Sequence, residues 1–138
     1  MYLITKDFNL SAAHNLECYE GKCKNTHGHN YQIFITVKCD KLLSNGIGVD
    51  FGDIKEVYNR VIHEYYDHKN LNNLDPFAII QTNPEQVQDY NPTAENMARI
   101  FFMMLQVEIP TIYSVKIYET PTSCVEYRED TDTDRFEK

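Results

Sequence analysis

Three histidines carry the first chemical signal in this sequence. His27 and His29 flank Gly28 in "CKNTHGHNY", at the head of an alternating run, and His14 closes an earlier alternating run. Two-residue spacing on a strand puts His27 and His29 on one face, and Gly28 leaves room there for close approach by a ligand or backbone. Three neutral imidazoles near strand ends suit a catalytic zinc, which takes three protein ligands and keeps one position open. Cys23 lies four residues before His27, between Lys22 and Lys24. Those lysines, and a nearby zinc, would favour its thiolate. Cys23 then has three roles open to it: a catalytic thiol beside an open site, the fourth ligand of a closed site of three histidines and one cysteine, or a plain loop cysteine. Cys18 shares that loop but has acidic neighbours, Glu17 and Glu20.

Two further positions stand out. Glu119 falls in phase with the apolar side of a late alternating run. A carboxylate facing inward is costly unless partnered. A buried arginine or lysine could be that partner, though the sequence offers few inward candidates; a ligand with two parallel N–H donors would satisfy it equally well, the shape of the 2-amino-pyrimidinone edge of a pterin or guanine. Asp67-His68 follows a helical pattern. The simplest expectation is a histidine interacting with a helix C-terminus; the chemical one is a carboxylate orienting an imidazole for proton transfer. His63 falls off the apolar stripe of that helix and reads as a surface residue.

These residues need elements to hold them. Period-two alternation predicts a first strand over Tyr2–His14, with Ile4, Phe8, Leu10, Ala12 and His14 on one face. It predicts a second over His27–Cys39, with His27, His29, Tyr31, Ile33, Ile35 and Val37 in phase, then a turn at "SNGIG" and a short return strand at "VDF". Asp53 reads as a helix N-cap, with Glu56 in capping-box position, and the helix should run to about Tyr66–His68. A long connection leads to "NPTAEN", which opens a second helix with Met97, Ile100, Phe101, Met104 and Leu105 buried. Strands at Tyr113–Thr120 and about Cys124–Arg128 complete the pattern. Cys39 and Cys124, at strand ends, read as small buried hydrophobes. The order ββααββ predicts an α+β fold, a four-stranded antiparallel sheet with both helices on one face. One domain spans residues 1–128, and residues 129–138 form a charged tail.

Composition narrows the function. The 138 residues carry a formal net charge of −8, which disfavours nonspecific binding to nucleic acid or to an anionic membrane. The longest apolar run is too short to span a bilayer. The N-terminus alternates from its first residues, without a basic segment before an apolar block, so a cytoplasmic location is expected. Four cysteines in that compartment suggest thiol or metal chemistry rather than disulfides.

The segments "SAAHNL", "CKNTHGHNY", "VDFGDIK", "DHKNLN", "NPTAEN" and "IYETPTS" follow one another as in the 6-pyruvoyltetrahydropterin synthase / 6-carboxytetrahydropterin synthase family, which the chain resembles. The resemblance covers about Tyr2 to Arg128. It implies the tunnelling fold (T-fold) and a Zn2+ cofactor held by His14, His27 and His29. It implies Cys23 as catalytic base, Asp67 and His68 as its proton relay, and Glu119 as the anchor of the pterin ring. Thr93 and Glu95 match positions near the pterin pocket. The chain is most similar to the bacterial branch that makes 6-carboxytetrahydropterin for queuosine. The implied substrate is 7,8-dihydroneopterin triphosphate, with the pyruvoyl product as the alternative outcome. The resemblance also implies trimers closing a twelve-stranded barrel, stacked as a homo-hexamer. Unpaired edge strands in a four-stranded sheet point the same way.

Overall fold

In the computed structural model, which describes residues 1–17 and 24–130, the two long alternating runs form the centre of one sheet. β1 (Tyr2–His14) and β2 (His27–Cys39) pair antiparallel over their whole length, from Tyr2 opposite Cys39 to His14 opposite His27. β4 (Ile112–Thr120) pairs with β2, and β5 (Ser123–Tyr127) with β4, both antiparallel. The four expected strands are therefore present. A fifth, β3 (Lys69–Asn70), runs parallel to Ala12 and Ala13 of β1, giving the order β3-β1-β2-β4-β5. Two residues are too few for an alternating pattern, so β3 has no periodic signature.

The "VDF" strand is not formed. Asp50 accepts a hydrogen bond from the Gly52 amide (2.7 Å) and caps α1 (Phe51–Tyr58), three residues before the expected cap at Asp53. Asp53 instead sits in the first turn, where a negative charge favours the helix dipole. Glu56 is not in a capping box either; it accepts from Arg60 Nε at 3.0 Å. The helix continues through a π turn, Asn59–His63, into α2 (Glu64–Tyr66). The long connection is built from three short 3-10 turns and α3 (Val87–Tyr90), pinned by the buried side chains of Leu71 and Phe77. α4 (Ala94–Gln106) starts where expected: Thr93 Oγ1 accepts from the Asn96 amide.

One core lies between the sheet and the helices. Leu10, Ala12, Tyr31, Ile33, Ile35, Val37, Val115 and Ile117 face Ile54, Tyr58, Ile62, Tyr66, Met97, Phe101 and Leu105. The expected strand phases hold, and both helices pack on one face. Met104 is half-buried at the margin of its stripe. Cys39 is half-buried, whereas Cys124 is exposed rather than buried. β5 is an edge strand, and its inward phase belongs to Val125 and Tyr127. Cys18, Cys23 and residues 131–138 of the charged tail lie outside the described residues. Among the described residues, no helix is long and apolar enough to cross a membrane.

Candidate functional site

The register of β1 and β2 places His14 opposite His27, and Ala12 opposite His29. All three imidazoles gather at one end of the sheet, with ring centroids 4.6, 4.9 and 5.1 Å apart. One ligand nitrogen from each lies within 4.8 Å of the others. His14 is fully buried, and His27 and His29 are half-buried.

The hydrogen bonds fix which nitrogens are free. His14 Nδ1 lies 2.7 Å from the Pro92 carbonyl, and His27 Nδ1 lies 2.6 Å from the Asn25 carbonyl. A carbonyl only accepts, so each Nδ1 carries the proton and donates it. Both Nε2 atoms are left as acceptors, 3.1 Å apart, that of His14 with the Tyr31 hydroxyl 3.4 Å away. His29 Nε2 is buried beside them without a hydrogen-bond partner. Facing lone pairs repel, and an orphaned buried nitrogen costs free energy. A metal cation answers both. Tetrahedral zinc with bonds of about 2.0–2.1 Å sets its nitrogen ligands roughly 3.3 Å apart, close to the His14–His27 separation. The donor set fits such an ion.

Electrostatics keeps the set ready. Burial, reinforced by the neighbouring imidazoles, depresses His14 below the usual histidine value, against the pull of the Pro92 carbonyl and Glu119. Burial likewise lowers His29, with Glu119 opposing and His27 assisting. Both are neutral, and so able to bind a cation, at neutral pH. The Tyr31 hydroxyl stands 3.2 Å from His14 Nδ1. Burial, and then the charge on Glu119, push Tyr31 above the ordinary phenol value, so it stays protonated.

Glu119 is at this site. Its Oε1 lies 3.6 Å from His14 Nε2 and 3.7 Å from His29 Nε2, and its side chain is 31% exposed. Among the described residues, no lysine or arginine pairs with it. Half-open and unpaired, the carboxylate is available to a ligand's N–H groups. Glu119→Gln replaces an acceptor oxygen with a donor, so affinity for a ligand that presents paired N–H groups should fall roughly ten- to hundredfold, the ~1–3 kcal/mol of an unsatisfied polar contact. Unchanged binding in a titration of a non-reactive pterin would contradict this role.

Asp67 and His68 sit elsewhere, hooked to the edge of β1. The Ser11 amide donates to Asp67 Oδ1 (3.0 Å), and the His68 amide donates to the Ser11 carbonyl (2.6 Å). His68 makes that second bond from φ 59°, a left-handed conformation that non-glycine residues adopt only when held. Its ring Nδ1 meets Asp67 Oδ2 at 2.5 Å. The ring is thus bound to a carboxylate, not merely placed at a helix end. It is 80% exposed and makes no hydrogen bond or ion pair with the three histidines. His68 and His29 do line one shallow hollow of about 280 Å3, together with Ala13, Gly28 and Asn30. Gly28 is not required by crowding: an added Cβ would meet only the Ala12 carbonyl, at 3.7 Å.

Thr93 and Glu95 border a second hollow of about 350 Å3, with Glu17, Asn91 and Asn96. The Thr93 hydroxyl is engaged in capping α4. Another cavity, of about 610 Å3, is lined by Lys38, Phe102, Pro110, Tyr113 and Arg128, and by none of the candidate residues. Its size does not make it the site, because the unpaired imidazole nitrogens are not there.

Two buried asparagines complete the arrangement. Asn72 Oδ1 accepts from the Asn15 amide (2.9 Å), and its Nδ2 donates to the Asn15 carbonyl (3.0 Å). Asn91 does the same for Glu17, at 3.0 and 3.1 Å. Each side chain acts as a one-residue strand, pinning the chain that leaves His14. Asn96 in turn donates to the Asn91 carbonyl (2.9 Å), steadying the segment whose Pro92 carbonyl orients His14. Such outer partners fix a ligand's tautomer and angle. Spacing marks neither asparagine; their nearest signals are the Asn-Pro before the cap and the Asn-rich run after His68.

The same architecture occurs in known proteins. The profile of the family described as 6-pyruvoyl tetrahydropterin synthase matches residues 3–130. A 6-carboxy-5,6,7,8-tetrahydropterin synthase of Haemophilus influenzae is 32% identical, over 94% of this chain and 100% of that protein. The human 6-pyruvoyl tetrahydrobiopterin synthase is 33% identical, over 86% of this chain and 78% of its own length. The solved structure of Caenorhabditis elegans 6-pyruvoyl tetrahydropterin synthase superposes with a TM-score of 0.75 at 27% identity, covering 94% of this chain and 96% of that one. With sequence and fold matched nearly end to end, the chain belongs to the 6-pyruvoyl tetrahydropterin synthase family.

Proposed function

We propose that this chain is a zinc-dependent 6-carboxytetrahydropterin synthase acting in the cytoplasm, in queuosine biosynthesis. It would convert 7,8-dihydroneopterin triphosphate and one water to 6-carboxy-5,6,7,8-tetrahydropterin with release of acetaldehyde and triphosphate. The observation that carries this is the set of three inward Nε2 atoms, those of His14 and His27 left without protons by the carbonyls on their Nδ1 atoms, beside the Glu119 carboxylate, which no lysine or arginine pairs among the described residues. Relatives named for the carboxy product, from Haemophilus influenzae, Synechocystis and Bacillus subtilis, support the product.

Zinc on His14, His27 and His29 would act as a Lewis acid toward the substrate's side-chain hydroxyls. Glu119 would accept the paired N–H groups of the pterin and so fix the ring. Cys23 would take a side-chain proton as general base, and His68, oriented by Asp67, would move protons at its ring Nε2. Thr93 and Glu95 would border the substrate at the first turn of α4. The simpler elimination to 6-pyruvoyltetrahydropterin needs the same residues, and relatives from Drosophila melanogaster and human carry that name at 37% and 33% identity. Incubation with dihydroneopterin triphosphate, followed by mass analysis, separates the two. The carboxy product with acetaldehyde is expected; the pyruvoyl product alone would overturn the branch, and unchanged substrate would overturn the function.

The exposed position of His68 suits a site shared between subunits. The outer edges of β5 and of Tyr2–Leu10 in β1 are unpaired among the described residues, and Met1, Tyr2 and Leu3 are exposed beside the latter. Open edges of this kind invite pairing between copies. A homo-hexamer built from trimers is expected by light scattering at micromolar concentration. A fully active monomer would refute it.

A further inference from the structure

The Asp67–His68 pair has a third member, His63. Its Nε2 stands 3.4 Å from Asp67 Oδ2, the same oxygen that meets His68 Nδ1 at 2.5 Å, while the Ser11 amide occupies Oδ1. The carboxylate is therefore held on three sides. One regular helical turn sets His63 beside Asp67, whose amide bonds the His63 carbonyl at 3.0 Å, and the π turn over Asn59–His63 places His63 beside Tyr58 as well. Five residues are about 140° apart around a regular α-helix. Here the Glu64 amide bonds the Asn59 carbonyl, five residues back, and the Tyr58 and His63 rings lie 5.9 Å apart on one side. Such turns are rare and recur at functional positions.

We propose that His63 is a positioning residue for the Asp67–His68 pair: it grips Asp67 Oδ2 from the helix side, so that the carboxylate meets His68 as a fixed anion. This rests on the proton-relay role assigned to that pair above. The titratable groups around Asp67 are Tyr58 and His63 on the helix and His68 beyond it. From β1 comes the Ser11 amide, and farther along that strand Lys6 stands over the Phe8 ring, which stacks on Tyr58. Tyr58 is buried, with its hydroxyl unpaired, and burial followed by the Asp67 charge raises it, so it stays neutral. Burial alone would raise Asp67. The Ser11 amide, His68 and the charge of His63 outweigh it and hold the carboxyl below its usual value. The resulting stability is present above the ordinary carboxylate value and is lost as pH falls through the lowered one. Removing His63 takes away one stabiliser of the anion, so the Asp67 midpoint must move up.

The test is the carboxyl titration of Asp67, followed by carbon-13 NMR in the full-length protein and in H63Q and H63K, together with the acid limb of the kcat/KM profile. In H63Q the Asp67 midpoint should rise by about half a unit, the scale of one partly exposed ion pair. The acid limb should shift in the same direction. H63K, which keeps a cation one turn from Asp67, should restore both. A midpoint unmoved in H63Q, or raised as far in H63K as in H63Q, would overturn the proposal. The relay itself is tested separately by turnover in D67N and H68N. Full activity there would remove the relay while leaving the measured His63–Asp67 coupling to stand or fall on its own titration.

Discussion

Cys23→Ala should lower turnover by about 10²–10⁴-fold, the usual contribution of a positioned acid or base, while zinc content and fold are retained. The separation of these effects is the point of the experiment. His14, His27 and His29 already bring three nitrogens within 4.8 Å of one another, so a metal here has its three ligands without a sulfur donor. If Cys23 is the base, its loss removes chemistry and leaves the metal in place. If it were a fourth ligand, zinc would leave with it. Metal content by elemental analysis and turnover by product formation, measured on the same sample, decide between the two.

His14→Ala should be the more disruptive change, abolishing stoichiometric zinc, activity and some stability together. His14 is the most buried of the three histidines, and its ring is held at both ends. Nδ1 donates to the Pro92 carbonyl, and Nε2 faces His27 and Glu119. Truncation leaves the Pro92 carbonyl and the Tyr31 hydroxyl unpaired in a closed space. Each such group costs on the order of 1–3 kcal/mol, so apo-protein stability should fall by at least about that much in urea unfolding. His27→Ala and His29→Ala should also lose zinc but cost less in the apo-protein, because both side chains are partly exposed. Stoichiometric zinc surviving in all three variants would contradict the site.

The sheet and the histidines are readable in the sequence because both depend on period two. His14, His27 and His29 sit in phase with Leu10, Tyr31 and Ile33, so one alternation rule places all three rings on the core side. Glu119 is readable for the same reason, as the polar member of the Val115–Ile117 phase. What escapes such a reading are contacts between segments far apart in sequence. Ser11 anchors Asp67 and His68 across 56 residues, and Asn72 and Asn91 pin the chain after His14 through amide-to-backbone pairs that leave no periodic trace. The helix begins earlier than its spacing suggests because Asp50 and Asp53 are both good caps, and only tertiary placement puts the Gly52 amide on Asp50. His63 reads as a surface residue, and its side chain is 40% exposed; the π turn carries it beside Tyr58, and the regular turn that follows sets it beside Asp67.

Zinc-edge X-ray absorption of the metal-loaded enzyme tests the central claim most directly. An open site with three histidine ligands predicts three imidazole nitrogens, with any further ligand an oxygen, all near roughly 2.0–2.1 Å, and no sulfur scatterer. A sulfur shell at about 2.3 Å would mean that Cys23 closes the site, and the synthase assignment built on a free Cys23 would then be wrong.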